Sequence, residues 1–125
     1  MIIDNPPYSV DYIKASTGEI LHPMLIDIGA WNMDTTPSIS IAHGMGANWN
    51  KIRSIDVFIY HDLGTIFYPL NMFVNGVDPA LLAGGVLYVD NTNIQLERRS
   101  GGQFDHAFFS SILINRGHII AWYRD

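Results

Sequence analysis

The sequence IRSIDVFIY, residues 52–60, decides the fold class of this chain. Successive side chains of a β-strand point to opposite faces. Here Ile55, Val57 and Ile59 would share one face, and Asp56, Phe58 and Tyr60 would share the other, so the strand is apolar on nearly both faces. A strand that is apolar on both faces lies in the middle of a fold, with other elements packed over each side. The segment therefore predicts a central β-strand.

Working outward from this strand, the chain contains further short apolar segments bounded by Gly, Asn, Asp, Ser or Pro. They are residues 24–28, 38–42, 66–68, 86–90, 94–98, 107–109, 111–114 and 117–123. Helix signals are few, with an Asp-capped turn at 78–84 and a short segment at 8–14. Short strands at roughly ten-residue spacing are typical of sandwiches and jelly rolls. We therefore predict an all-β, antiparallel, jelly-roll-like β-sandwich of about seven to nine short strands, with at most one or two short helices.

The alternation within these segments also predicts which faces meet water. Ile39 and Ile41 alternate with serines. Ile94 and Leu96 alternate with Gln95 and Glu97 in the same way (these residues belong to two different predicted strands). Such alternation is typical of strands with one buried and one solvated face.

The length of 125 residues corresponds to one domain. The prolines of Asn5-Pro6-Pro7 and His22-Pro23 favour extended backbone that is unsuited to regular pairing. We therefore predict an N-terminal attachment arm at residues 1–23 and a β-sandwich domain at residues 24–125.

The composition predicts that other subunits cover part of the surface. Hydrophobic residues make up 48% of the chain and charged residues 15%, against a usual charged share of about 25%. A solitary soluble monomer normally carries more charge on its surface. We therefore expect a homo-oligomer. Its candidate interface residues are Phe58, Tyr60, Phe108, Phe109 and Trp122.

Charge and composition also exclude several classes of protein. The net charge is −5 with only seven Lys and Arg residues, which argues against a nucleic-acid partner. The absence of cysteine excludes disulfides and thiolate metal sites. No secretory signal and no stretch of about 18 apolar residues is present, so we expect folding in a cytoplasm and no membrane insertion.

The residues that could support catalysis or bind metal show no characteristic spacing. The five histidines, His22, His43, His61, His106 and His118, form no close pair of the kind that binds metal. Loop and turn-capping roles explain them better. No Gly-x-Ser-x-Gly elbow exists. We therefore predict no catalytic, cofactor-binding or metal-binding residue.

Two tryptophans are candidate contacts to glycans. Trp31 and Trp49 stand beside asparagines in predicted loops, where an aromatic ring could stack on a sugar. The interpretation that we favour is that tryptophans anchor the core or a subunit interface.

Three segments resemble a module that recurs in tail-fibre and other virion structural proteins of bacteriophages. They are IDIGAWNMD at residues 26–34, IAHG at 41–44 and IRSIDVFI at 52–59. The segment NRGHIIAWY at 115–123 is similar to the close of those modules, where an Arg-Gly turn leads into a final strand. The resemblance covers about residues 25–123.

The resemblance implies a β-sandwich component of a virion, such as a fibre, a capsid decoration or a tail accessory protein. It implies a non-enzymatic homo-oligomer, commonly a trimer, that is assembled in the host cytoplasm and located on the virion. Other virion proteins would be contacted through residues 1–23, and host-surface glycans are further candidate partners. Because the module fills nearly the whole chain, a small accessory or decoration protein is favoured over a long tail fibre.

Two other classes of function stay open. A carbohydrate-binding module would need Trp31 or Trp49 exposed on a rim. A metal-dependent enzyme of cupin type would need two or three histidines that converge inside a barrel.

Overall fold

The computed structural model of the chain describes residues 13–14, 16–72 and 81–125. These residues form eight β-strands and two 3₁₀ helices. The strands are β1 Ile13–Lys14, β2 Ile20–Asp27, β3 Ser38–Ala42, β4 Ile52–Tyr60, β5 Phe67–Pro69, β6 Gly84–Val89, β7 Asn93–Arg98 and β8 Gly117–Arg124. The 3₁₀ helices are Gly46–Lys51 and Ala107–Phe109. β3 and β4 have the bounds that their sequence patterns predicted.

The strands pair into two antiparallel sheets, which confirms the prediction of an all-β sandwich. The five-stranded sheet has the order β1-β2-β8-β4-β5, and the three-stranded sheet has the order β3-β7-β6. The chain leaves the five-stranded sheet after β2, forms β3 in the other sheet and returns for β4. β8 then lies between β2 and β4. These connections between the two sheets give the fold its jelly-roll-like character. By contrast, β4 and β5 are consecutive strands of the five-stranded sheet, and β6 and β7 are consecutive strands of the three-stranded sheet.

The core lies between the two sheets, where the inward-facing side chains of both meet. Ile59 and Ile119 reach it from the five-stranded sheet, and Ile94 and Leu96 reach it from the three-stranded sheet. All four are fully buried. Loop residues complete the same cluster: Ile28, Trp31, Met33, Leu70, Ala83, Phe104 and Phe109. Since burying a large apolar side chain stabilises a fold by about 1.5–3 kcal/mol, these contacts hold the sheets together.

β8 is the middle strand of the five-stranded sheet. Ile120 is in register with Leu25 of β2 on one side and with Asp56 of β4 on the other. At the start of β8, a Cβ atom on Gly117 would overlap the carbonyl oxygen of Phe58. Glycine therefore permits a close approach of β8 to β4 that no other residue allows.

β2 begins at Ile20, earlier than the predicted start at Met24. His22 and Pro23 belong to this strand and are in register with β8. The prediction that these two residues could not pair regularly is therefore wrong. Proline has no N–H to donate to a ladder, and it is tolerated here because β8 is the single described neighbour of this part of β2.

The predicted boundary between an arm of residues 1–23 and a domain of residues 24–125 falls inside β2. Residues 1–12, which make up most of the predicted arm, lie outside the described residues, so the attachment role stays a prediction. The helix predicted at 8–14 also lies outside them, except for Ile13–Lys14, which form β1.

The strands predicted at 107–109 and 111–114 are wrong. Residues 107–109 form a 3₁₀ helix that the side chain of His106 caps by accepting a backbone N–H. The backbone N–H of Ser111 donates to the carboxylate of Asp62 at 3.1 Å. Side chains thus accept backbone N–H groups in this region, and such hydrogen bonds compete with the pairing of strands.

The first three residues of the Asp-capped helix predicted at 78–84 lie outside the described residues. Residues 81–83 are not helical, and Gly84 already belongs to β6. The described part of this segment therefore continues into the three-stranded sheet.

Candidate functional site

The outward side of β4 is apolar at its second half, where Phe58 and Tyr60 follow the exposed polar residues Ser54 and Asp56. Val57 and Ile59 point into the core, so Phe58 and Tyr60 point outward. The register with β8 places His118 beside Phe58 on the same outward side. The strand that decides the fold class thus also contributes aromatic rings to the surface of the sandwich.

Neighbouring strands extend this surface in both directions. On β8, Ile120 and Trp122 alternate with buried residues and face outward. Leu25 of β2 lies opposite Ile120 and is 69% exposed, and Phe67 of β5 lies opposite Tyr60 and is 55% exposed. We call this surface the aromatic face. Its members are Leu25, Phe58, Tyr60, Phe67, His118, Ile120 and Trp122.

An aromatic cluster with one imidazole lies at the end of the aromatic face. The ring centroid of His118 is 5.3 Å from that of Phe58, 5.9 Å from that of Tyr60 and 6.5 Å from that of Phe67. The Tyr60 hydroxyl lies 3.4 Å from Nδ1 of His118. Asp27 of β2 is in register with His118 on its other side. The rings support one another, so the face is a packed surface rather than a set of separate side chains.

The outer side of the three-stranded sheet is polar along β3 and β7, whereas β6 exposes Leu87 and Tyr88. The register places Ser40, Gln95 and Tyr88 in one row, and Ser38 and Glu97 in the next. The hydroxyl of Ser40 donates a hydrogen bond to the side-chain oxygen of Gln95. The predicted alternation of buried and solvated residues in β3 and β7 is thereby confirmed. We call this surface the polar face.

The structure divides the predicted interface residues among three places. Phe58, Tyr60 and Trp122 share the aromatic face. Phe108 is exposed, but it lies on the 3₁₀ helix before β8. Phe109 is only 2% exposed and belongs to the core, which corrects the prediction that it could lie in an interface. Its ring packs edge-on against Phe104 at 5.1 Å between centroids.

Two loops at one end of the sandwich also expose apolar side chains. One loop, residues 61–66, joins β4 to β5, and the other, residues 106–115, precedes β8. They touch where the backbone N–H of Asp62 donates to the carbonyl of Phe108 at 2.7 Å. We call the exposed apolar residues of these loops the loop end. They are Leu63, Ile66, Phe108, Ile112 and Leu113.

A buried arginine fixes both loops. Arg116 is fully buried, and its Nε donates to the carbonyl of Trp31 at 3.0 Å. Its Nη1 donates to the carbonyl of Tyr60 at 2.7 Å. Its Nη2 donates to Oδ1 of Asp62 and to the carbonyl of Ser111, both at 2.8 Å. One side chain thereby joins β4 to both loops, so the loop end has a defined shape.

The carboxylate of Asp62 completes this arrangement. Burial raises the pKa of Asp62, but the hydrogen bonds that it accepts from Arg116, Ser111 and Ser110 outweigh burial, so its pKa lies below its usual value. The carboxylate is therefore ionised at neutral pH and is paired with the guanidinium of Arg116.

The two tryptophans proposed as glycan contacts have different environments. Trp31 is only 2% exposed, and its ring N–H donates to the carbonyl of Thr36 at 2.8 Å. The prediction of a glycan contact at Trp31 is therefore wrong, and the interpretation as a core anchor is confirmed. Trp49 is half-buried on the first 3₁₀ helix.

Trp49 lines an open groove of about 470 Å³ between β4 and β6. Ile55 and Val86 contribute apolar surface from the two sheets, and Asn50 and Arg53 contribute polar groups. Arg53 is held in place because its Nε and Nη2 donate to the carboxylate of Glu19 at 3.1 and 3.2 Å. The groove thus combines one aromatic ring with an arginine that Glu19 holds in place.

Three of the five histidines cap turns, which confirms that interpretation for them. His43, His61 and His106 each accept a backbone N–H through Nδ1. Within residues 13–14, 16–72 and 81–125, His, Asp and Glu side chains form no group of three that could hold a metal ion. The described residues therefore lack the converging ligands that a cupin-type enzyme would need.

Sequence reasoning missed the buried Arg116 and most of the loop end. The sequence pattern predicts a strand at Ile112 and Leu113 and an ordinary turn at Leu63. The sequence did contain a signal for the loop end. Apolar residues in segments that also contain turn-forming Ser, Gly and Asn tend to lie in loops, where they can be exposed.

No helix in the part of the chain that the structure describes is long and apolar enough to cross a membrane. Comparisons of the chain with protein-family models, with curated proteins and with solved structures find no match.

Proposed function

We propose that the protein is a structural subunit of a bacteriophage virion that assembles with copies of itself through the aromatic face. The aromatic face is the observation that carries this proposal. Its sheet already buries its other side in the core, so the outward apolar residues are surplus to folding. An exposed apolar patch bordered by polar residues, here Asp27 and Asp56, marks a site of interaction on a soluble protein.

The composition of the aromatic face favours a protein partner. Tyr60, Trp122 and Phe58 are of the residue types that protein interfaces contain most often and that contribute most of the binding energy. The phenol and indole groups also tolerate the partly wet rim of an interface. A partner must therefore offer an apolar surface of its own.

A second copy of the chain provides such a surface. The polar face cannot cover the aromatic face, because Ser40, Gln95 and Glu97 would lose contact with water without gaining partners. The aromatic face of another copy can, since apolar sheet faces pack against each other at about 10 Å. We propose three copies whose aromatic faces meet around one threefold axis, because the virion modules that the sequence resembles are commonly trimeric.

Light scattering of the purified protein at micromolar concentration tests the assembly. We expect a mass several times the 14.0 kDa of one chain. The double variant Leu25→Ser/Phe67→Ser should lower the mass toward that of a monomer. Both residues are exposed in the single chain, so the fold should survive.

A matched control is the double variant Leu87→Ser/Tyr88→Ser on β6. These residues are 56% and 51% exposed, and the variant should keep the wild-type mass. A wild-type protein that is monomeric at this concentration would contradict the proposal. The virion role is tested separately by mass spectrometry of purified phage particles, in which peptides of this chain should be abundant.

The groove at Trp49 favours a second candidate function, a carbohydrate-binding module. Aromatic rings stack on the apolar side of sugars, and Asn50 and Arg53 could bind hydroxyl groups. A glycan array tests it: a glycan that binds the wild type should not bind Trp49→Ala. If no glycan on the array binds the wild type, this candidate is removed.

A further inference from the structure

The most exposed apolar side chains of the described residues lie at the loop end. Of the eleven large hydrophobic residues that are exposed in the described part of the chain, five belong to it. Leu113 is 92% exposed and Leu63 is 77% exposed, which are the two highest values in this group. Exposed apolar residues are therefore concentrated at one end of the sandwich, on two loops that Arg116 holds together.

Backbone N–H groups at three of these positions already donate to acceptors within the same loops. The N–H of Leu63 donates to Nδ1 of His61 at 2.9 Å, and the N–H of Leu113 donates to Oγ of Ser111 at 3.2 Å. The N–H of Phe108 is satisfied in the same way by a histidine. In hydrocarbon each backbone group without a partner costs several kcal/mol. The loop end could therefore leave water at a lower cost than an ordinary loop.

The charges close to the loop end are paired. Asp62 accepts from Arg116 at 2.8 Å, and Asp105 lies 3.4 Å from a guanidinium nitrogen of Arg98. The two loops, residues 61–66 and 106–115, contain no Lys or Arg. The surface is thus apolar and close to neutral, without the basic groups that attract proteins to anionic lipids.

The residue types at the loop end differ from those of the aromatic face. Four of the five members, Leu63, Ile66, Ile112 and Leu113, are aliphatic, and the set contains no Tyr, Trp or Arg. Those three types dominate the binding energy of protein interfaces, in which Leu is under-represented. Aliphatic side chains on loops suit a fluid hydrocarbon phase, because it adapts to their shape.

From these observations we propose that the loop end inserts into the outer hydrocarbon layer of a zwitterionic lipid bilayer. Shallow insertion of an apolar surface, to a depth of about 5–10 Å, requires no membrane-spanning segment. The sequence-based expectation of no membrane insertion concerned such segments. The proposed lipid contact goes beyond assembly through the aromatic face and uses a different surface.

Flotation of the full chain with vesicles of pure phosphatidylcholine tests the contact. The wild type should float with the vesicles, and the double variant Leu63→Ser/Leu113→Ser should bind at least about 10-fold more weakly, because it loses two inserted aliphatic side chains. Leu87→Ser/Tyr88→Ser is the matched control and should bind within about 2-fold of the wild type. Circular dichroism should show that all three proteins keep the same fold.

Two further measurements separate lipid insertion from electrostatic adsorption and from a contact between copies. Vesicles that also contain phosphatidylserine, and added salt, should leave binding unchanged, whereas binding that requires the anionic lipid would overturn the inference. Equal binding by Leu63→Ser/Leu113→Ser, or no flotation of the wild type, would also overturn it. So would a lower assembly mass of this variant without vesicles, since the loop end would then be a contact between copies. Failure of the proposed assembly is instead detected by light scattering of the wild type without lipid.

Discussion

The two sheets of the sandwich bury similar residues but present opposite outer faces. Inward, both contribute fully buried aliphatic side chains, such as Ile119 from one and Ile94 from the other. Outward, the five-stranded sheet carries aromatic rings such as Phe58, whereas the three-stranded sheet carries Ser40 and Glu97. The core therefore does not distinguish the sheets. Their outward residues do, since among the described residues only the five-stranded sheet carries a cluster of aromatic rings around one imidazole on its outer face.

The buried arginines beside the two sheets differ as well. Arg116, at the start of β8, donates four hydrogen bonds of 2.7–3.0 Å. Arg98, at the end of β7, donates one short bond, to the carbonyl of Met33 at 2.6 Å. Its contacts to Asp34, Ser100 and Asp105 are all 3.4 Å long. We infer that the five-stranded sheet and its loops are the more firmly fixed part of the molecule.

The largest effect that tests this difference is expected from the arginines. Arg116→Met should destabilise the protein by about 4 kcal/mol, because it removes the donor of one buried and two part-buried carbonyls and breaks the ion pair with Asp62. Arg98→Met should cost about 2 kcal/mol. Urea unfolding of the two variants measures both values, and an equal loss would remove the distinction between the sheets.

A smaller effect is expected from the glycines that let strands approach closely. Gly117→Ala would place a Cβ against backbone atoms of Phe58 and should cost about 3 kcal/mol. Gly84→Ala in β6 would place a Cβ 2.5 Å from the carbonyl oxygen of Glu97 and should cost about 2 kcal/mol. Thermal melting of both variants compares them. A lower melting temperature for Gly84→Ala than for Gly117→Ala would reverse the proposed order.

Acid should lower the free energy of unfolding because it protonates Asp62 beside the five-stranded sheet. Since its pKa is lowered in the folded state, its stabilising effect is complete above the unfolded pKa of about 4 and is lost as the pH falls through the folded value. Asp62→Asn should therefore reduce the loss of stability between about pH 5 and pH 2, and it should be less stable than the wild type at neutral pH. Unfolding measured across this range checks the sign, and an unchanged slope would contradict it.

On the three-stranded side, the pKa of Asp90 is lowered by the backbone N–H groups of Asn93 and Thr92. Asp90→Asn keeps an acceptor oxygen for both and removes no ion pair. Because the pKa of Asp90 is also lowered in the folded state, this variant should likewise lose less stability than the wild type as the pH falls below about 4.

The smallest effect is expected on the polar face. Ser40→Thr changes an exposed residue on a solvated row, so the free energy of unfolding should change by less than about 0.5 kcal/mol. The assembly mass should not change at all. Dissociation of the assembly by this variant would show that copies meet through the polar face.

The sequence predicted the parts of the fold that depend on local alternation. β3 and β4 were predicted with the correct bounds, and the outward position of Gln95 and Glu97 followed from their alternation with Ile94 and Leu96. The inward and outward sides of a strand are determined by neighbouring residues, so a single segment contains the necessary information.

The sequence could not predict features whose partners lie far along the chain. Arg116 takes its acceptors from residues 31, 60, 62 and 111, and no spacing in the sequence reveals that they converge. The prediction that Trp31 lies in a loop is correct, but its burial depends on a core that distant strands build. The apolar residues at 112–114 are typical of a strand in the sequence. The hydrogen bond from Ser111 to the distant Asp62, which holds this segment in a loop, cannot be predicted from the local pattern.

The central position of β8 has a consequence for folding while the protein is synthesised on the ribosome. β8 separates β2 from β4, and the bond between His22 and Asp125 joins residues 103 positions apart. Until β8 has emerged, the nascent chain carries both of its neighbours with unpaired edges. The five-stranded sheet can therefore form only after β8 has been synthesised, which follows the other described strands. A chain that stalls before β8 would expose the unpaired edges of β2 and β4, to which chaperones or other nascent chains could bind.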